Sequence, residues 1–288
     1  MNQALGFQTR QTHWRSHTLH GVGIIAKARS SKPGWQSPSS INTYLTCPRK
    51  YYNRYIAKRP GEASIYLIRG CVVDRVLTQF YRFKINRASR EMDYADLRQT
   101  VLSILTEEWN THMDEFRELK LTDSDLAFYF HEAKIAVLHF LDWFANGGSG
   151  TAYTQPWVQK NIFNHSYRIR GRVDLIDRSP HPPLIVDWKV TKGKETTAQI
   201  KRQLVSYAFM YEEAFRVRPN VAAHFLLFKD GFRQFTVSDN AIESVKRVIL
   251  ETHQNTQSKD KSDYPCICGH CTDPEPASAE DSEVGDAA

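Results

Sequence analysis

No stretch of this 288-residue sequence is apolar for long enough to cross a bilayer, and its first residues, MNQALGFQTRQTHWRSHTLHGVG, lack the apolar core of a secretory signal. A membrane protein or an exported one is therefore not expected, and the chain reads as intracellular, cytoplasmic. Internal repeats are also missing. Cysteine is scarce: Cys47, Cys71, Cys266, Cys268 and Cys271 make an odd set of five. Without an export signal structural disulfides are not expected, so clustered cysteines are either metal ligands or incidental. Acidic residues are outnumbered, 32 against 38 Lys and Arg. Six of the 32 lie in the last sixteen residues, Asp273 to Ala288, which hold no Lys or Arg; the remainder carries 26 acidic against 38 basic residues, +12. A body this basic suits a polyanionic partner such as nucleic acid without defining a site.

What is present fits one globular domain: 41% hydrophobic and 24% charged residues. Residues 1–36 show little apolar periodicity and read as a flexible extension, and 273–288 as an acidic disordered tail, leaving 37–272 as the domain. SPSSINTYLTCPRKYYNRYI predicts a short helix, a break at Cys47-Pro48 and a second helix. SIYLIRGCVVDRVLTQFYRF predicts a buried helix starting around Gly70, with Cys71 a small packed residue. Helices are predicted at 93–115 and 123–145, within a helical insertion of about 90–150. The period then shortens to that of strands near 156–163, 167–177 and 184–190. A helix over 196–216, strands at 221–229 and 232–237, and a helix over 239–256 complete a mixed α/β (α+β) domain.

Charge in an apolar strand marks the chemistry. LIVDWKV carries Asp187 and Lys189, costly there unless paired or used, and residues two apart share a face. The preceding GRVDLID supplies Asp174. Two close carboxylates repel one another and favour Mg²⁺ or Mn²⁺, a hard cation that prefers oxygen. The backbone carbonyl of Trp188 offers a further ligand. Lys189 beside such a centre suits the orientation or deprotonation of an attacking water and the stabilisation of a phosphoryl transition state.

The ordered pieces SPSSINTYLTCPRKYY, RGCVVDRVLTQFY, GRVDLID, LIVDWKV, QLVSYAFMY and the late cysteines resemble, over about 37–271, the RecB-like branch of the PD-(D/E)xK nucleases. That branch includes the CRISPR-associated iron-sulfur exonucleases. The resemblance implies a restriction-endonuclease-like core, a mixed central sheet flanked by helices, with a helical N-terminal part. It further implies Asp174, Asp187 and Lys189 as catalytic residues, joined by Gln203 and Tyr207 of a Q-x-x-x-Y motif. Where the family has His in a G-x-x-x-H segment, this sequence has Asp74 after Gly70, itself a competent hard-cation ligand.

The family's arrangement of one early and three late cysteines matches Cys47, Cys266, Cys268 and Cys271, implying a [4Fe-4S] cluster that staples the chain ends. The spacing C-x-C-x-x-C is tighter than the family's. Zinc, with His270 a possible substitute ligand, and unligated thiols stay open. Arg49, Lys50 and Arg54, interleaved with tyrosines, and Lys192, Lys194, Lys201 and Arg202 beyond the active-site strand are candidate DNA contacts, with a solvated basic face as the alternative. The expected function is a metal-dependent exonuclease on DNA ends or single strands in recombination, repair or CRISPR spacer processing, alongside recombination, helicase or CRISPR adaptation proteins. A non-catalytic DNA-binding or scaffold protein is the alternative.

Overall fold

The computed structural model describes residues 34–59, 61, 63–86, 93–148, 157–191 and 197–271. Five strands form one sheet in the order β1 (Trp157–Asn164), β2 (Ile169–Asp177), β3 (Leu184–Lys189), β4 (Asn220–Phe225), β5 (Phe232–Phe235). Three of the four pairings are antiparallel. The β3–β4 pairing is parallel, because helix α7 (Thr197–Phe215) crosses over between the two strands.

Alternation along β3 assigns its two faces. Leu184, Val186 and Trp188 join a core built by α3 (Ile65–Asn86), α4 (Tyr94–Asn110), α5 (Met113–Glu118) and α6 (Asp123–Ala145). Ile185 joins a second core with α7, α1 (Pro38–Thr46) and α8 (Asp239–Asn255). Both faces of the sheet are thus covered by helices, which is why LIV at the head of β3 is uniformly apolar. Among the described residues no helix is long and apolar enough to cross a membrane.

Local chemistry sets the element ends. Ser37 and Ser40 form a reciprocal capping box at the start of α1, and Cys47 interrupts the helix before α2 (Pro48–Tyr51), as the Cys47-Pro48 break predicts. The expected helix at 93–115 is instead two, with a turn at Thr111-His112. Order begins earlier than Ser37. Gln36 is buried, bridges to Ile169, and bonds Tyr51 Oη (2.8 Å), Thr256 Oγ1 (3.0 Å) and Ser40. Gly70 does not start a helix but sits inside α3, which begins at Ile65, and Cys71 is exposed rather than packed. The first turn of α3 buries Ile65 and Ile68 and leaves Leu67 exposed.

Candidate active site

Asp187 and Lys189 face α7, as their spacing of two requires. The buried Asp187 carboxylate receives Lys189 Nζ at 3.0 Å on Oδ2 and Gln203 Nε2 at 2.9 Å on Oδ1. Lys189 Nζ also donates to Gln203 Oε1 at 2.9 Å. Gln203 Nε2 lies 3.1 Å from Tyr207 Oη, one helical turn on, and Tyr207 in turn donates to the Arg172 carbonyl on β2 at 3.1 Å. Burial, then the charges of Asp187 and Asp174, push the Tyr207 hydroxyl well above its usual range, so it stays a donor. One continuous chain of hydrogen bonds therefore runs from β3 through α7 to β2.

Asp174 enters where the β2–β3 ladder ends. Paired residues run from Asp177–Leu184 to Leu175–Val186. Beyond them the Asp174 carboxylate, not a ladder carbonyl, accepts the Trp188 amide at 2.9 Å. In an extended strand a residue's carbonyl points to the same side as its amide, so the Trp188 carbonyl also faces β2. The indole stacks on Tyr81 in the opposite core, with ring centroids 6.1 Å apart and planes 7° from parallel. Asp74 on α3 lies 3.6 Å from Arg172 and contributes negative charge at Asp174. Burial first, then Asp187 and Asp74, raise the Asp174 carboxyl well above the ordinary range, against the pull of the Trp188 amide and Lys189. Carboxylates that act on one another in this way favour a proton or a cation, and the oxygen donors of Asp74, Asp174 and Asp187 are of the type a hard divalent ion takes.

Two supports escaped the sequence reading. Gly171 has no room for a side chain: a Cβ would stand 2.6 Å from Tyr207 Cε1 and 2.9 Å from Met210 Cε. Arg69 of α3 is buried against Glu132 of α6 and donates to the Val190 carbonyl at 3.0 Å, anchoring the chain just after Lys189. Its signal was a charged residue inside an apolar helical run, the same signal that exposed Asp187.

The predicted DNA contacts divide. Lys50, Arg54 and Lys201 are exposed. Arg49 donates Nε to the Tyr264 carbonyl at 2.7 Å, and Arg202 donates to Asn42 of α1 at 2.6 Å, so both hold the fold together. Lys192 and Lys194 lie outside the described residues.

At the other end of α1 the four predicted cysteines converge. The sulfurs of Cys47, Cys266, Cys268 and Cys271 all lie within 4.8 Å of one another, and His270 is not among them. Burial opposes a thiolate at Cys47, yet the amides of Lys50, Ile267 and Cys268 outweigh it and bring its pKa down to about 6.

A family model of the PD-(D/E)XK nuclease superfamily matches residues 36–272. The chain belongs to this superfamily. Its members are nucleases that use divalent metals, in keeping with the oxygen donors gathered around Asp174. The fold is shared with the crystal structure of a candidate exonuclease from Eubacterium rectale, at a TM-score of 0.50 and 13% identity, covering 92% of this chain and 100% of that one. No curated protein matches at a significant level. The superfamily's mixed sheet flanked by helices, with a helical N-terminal part, is the architecture described above.

Proposed function

We propose that this PD-(D/E)xK chain is a metal-dependent deoxyribonuclease, acting as an exonuclease on DNA ends or single strands. The observation that carries the reading is the hydrogen-bonded chain Lys189–Gln203–Tyr207 closing on Asp187, with Asp174 and Asp74 alongside. Asp74, Asp174, Asp187 and the Trp188 carbonyl are the donors for Mg²⁺ or Mn²⁺, which when bound supplies positive charge to the phosphodiester and acidifies the attacking water. Gln203 and Asp187 together fix the Lys189 ammonium, which donates to Gln203 Oε1 and lies 3.0 Å from Asp187 Oδ2, and so hold its charge at the site where a water or a phosphate oxygen would be received. Tyr207 fixes Gln203 in turn, so the amide cannot flip without losing a bond. The exposed Lys50, Arg54 and Lys201, with Lys192 and Lys194, supply basic charge for the DNA backbone. A setting in recombination, repair or CRISPR spacer processing, with helicase or adaptation proteins as partners, rests on the family resemblance.

The test is degradation of end-labelled single- and double-stranded DNA with Mg²⁺ or Mn²⁺, by the wild-type chain and by Lys189→Ala. The expected result is metal-dependent release of label, lowered about a hundredfold or more in the variant. Equal absence of cleavage in both, with DNA binding retained, would replace the catalytic reading with the DNA-binding scaffold.

A further inference from the structure

The four cysteines form a closed cluster whose dimensions discriminate between the metal centres that thiolates hold. Cys47 lies 3.6 Å from Cys271, Cys268 lies 3.6 Å from Cys271, and Cys266 lies 3.8 Å from Cys268, sulfur to sulfur. The remaining pairs fall under the same 4.8 Å limit. A single zinc with bonds near 2.3 Å holds four sulfurs on a tetrahedron whose edges are about 3.8 Å. In a [4Fe-4S] cluster each thiolate binds a different iron, which sets the sulfurs roughly 6 Å apart. The iron-sulfur cluster implied by the family resemblance does not fit these positions, since every pair of sulfurs would have to spread.

Spreading is resisted from both sides. Cys47 is fully buried in the break between α1 and α2. The segment that brings the other three is held against it: Arg49 takes the Pro265 carbonyl on its amide (3.3 Å) and the Tyr264 carbonyl on Nε (2.7 Å). Tyr264 is fully buried, stacked on Tyr51 at 6.3 Å and packed on Tyr52 at 5.3 Å. Within the late segment, Gly269 takes φ of +70°, a left-handed conformation that glycine adopts without strain, and the turn it makes returns Cys271 toward Cys268. The short C-x-C-x-x-C spacing thus folds its three sulfurs around one point.

We propose that Cys47, Cys266, Cys268 and Cys271 bind one zinc ion in a four-coordinate structural site in place of an iron-sulfur cluster. Four thiolates leave no open position for water or substrate, so the ion clamps the C-terminal segment to the α1–α2 break and takes no part in hydrolysis.

The full chain, purified anaerobically from cells supplied with both iron and zinc, decides the matter by elemental analysis, labile sulfide and absorption. The expected result is about one zinc per chain, no labile sulfide and no visible colour. About four irons with labile sulfide and broad visible absorption would overturn the proposal, as would a folded chain that carries neither metal. Replacement of the ion by Co²⁺ should yield the intense visible bands of a tetrahedral thiolate complex; the pale spectrum of an octahedral ion would count against it. Cys266→Ser, at an exposed ligand, should lower the zinc content, and unchanged content would mean the zinc sits elsewhere. Zinc content should be the same in Lys189→Ala, which separates failure of this proposal from failure of the nuclease reading.

Discussion

A missing methyl group at Gly171 sets how closely α7 approaches β2. Because Tyr207 Cε1 and Met210 Cε occupy the space a Cβ would need, Gly171→Ala must push α7 outward or force both side chains off their rotamers. The expected cost is about 1–3 kcal/mol of stability, seen as a lower denaturant midpoint. Cleavage should fall further than unfolding accounts for, because Tyr207 is what holds Gln203 against Lys189. An unchanged turnover per folded molecule would show that the Tyr207 link is not needed. At this scale the strand residues were legible in the sequence, since charge within LIVDWKV is improbable without a use and a spacing of two puts Asp187 and Lys189 on one face. The approach of Asp174 was not legible. It depends on where the β2–β3 ladder stops, which alternation alone does not reveal. Gly171 was visible only as part of GRVD, and its physical reason needed the helix that lies across it.

Among the elements, the stretch after α8 is the one whose packing the composition concealed. The run from Thr256 to Asp263 is polar throughout, yet the next residue, Tyr264, is fully buried among Tyr51 and Tyr52, with its hydroxyl on the Ser258 carbonyl at 2.7 Å. Tyr264→Ala should therefore destabilise the chain by about 3 kcal/mol and loosen metal held by the four cysteines. Thermal melting and metal retention during dialysis against a chelator are the readouts, and retention equal to wild type would show that the sulfurs hold their positions unaided. Strand and helix boundaries otherwise follow the sequence periodicity to within a few residues, apart from the split of the 93–115 helix and the early start of α3. At the split, buried Trp109 and Phe116 carry the apolar pattern across the Thr111-His112 turn, while in α3 Gly70 lies within the helix and marks no boundary.

For the molecule as a whole, a sheet covered on both faces buries a titratable group that no catalytic role explains. His224 on β4 lies between Trp143 (5.0 Å) and Phe232 (5.7 Å), with Nδ1 unpartnered among the described residues. Burial, helped by His139, lowers its pKa from 6.5 to about 4. The folded chain thus keeps the ring neutral where the unfolded chain protonates it. Stability from this group is complete above the unfolded value and is lost as pH falls from 6.5 toward 4, by up to about 3 kcal/mol. His224→Phe should flatten that part of the stability profile in denaturant melts across the range, and an unaltered slope would assign the acid sensitivity to other groups. The mixed α/β content was legible because the helical period gives way to the strand period along the chain, the layering of helices on a central sheet was what the family resemblance implied, and the parallel β3–β4 pairing needed the crossover to be seen. The pairing of Cys47 with Cys271 spans 224 positions. During synthesis, at roughly 5–20 residues per second, the thiol of Cys47 waits on the order of 10–45 s for the sulfurs that complete its site. Both sheet-covering layers can assemble in that interval, so the last stitch in this chain is made by the first part of the domain to leave the ribosome, and with the proposed zinc withheld the chains would be finished everywhere except at that seam.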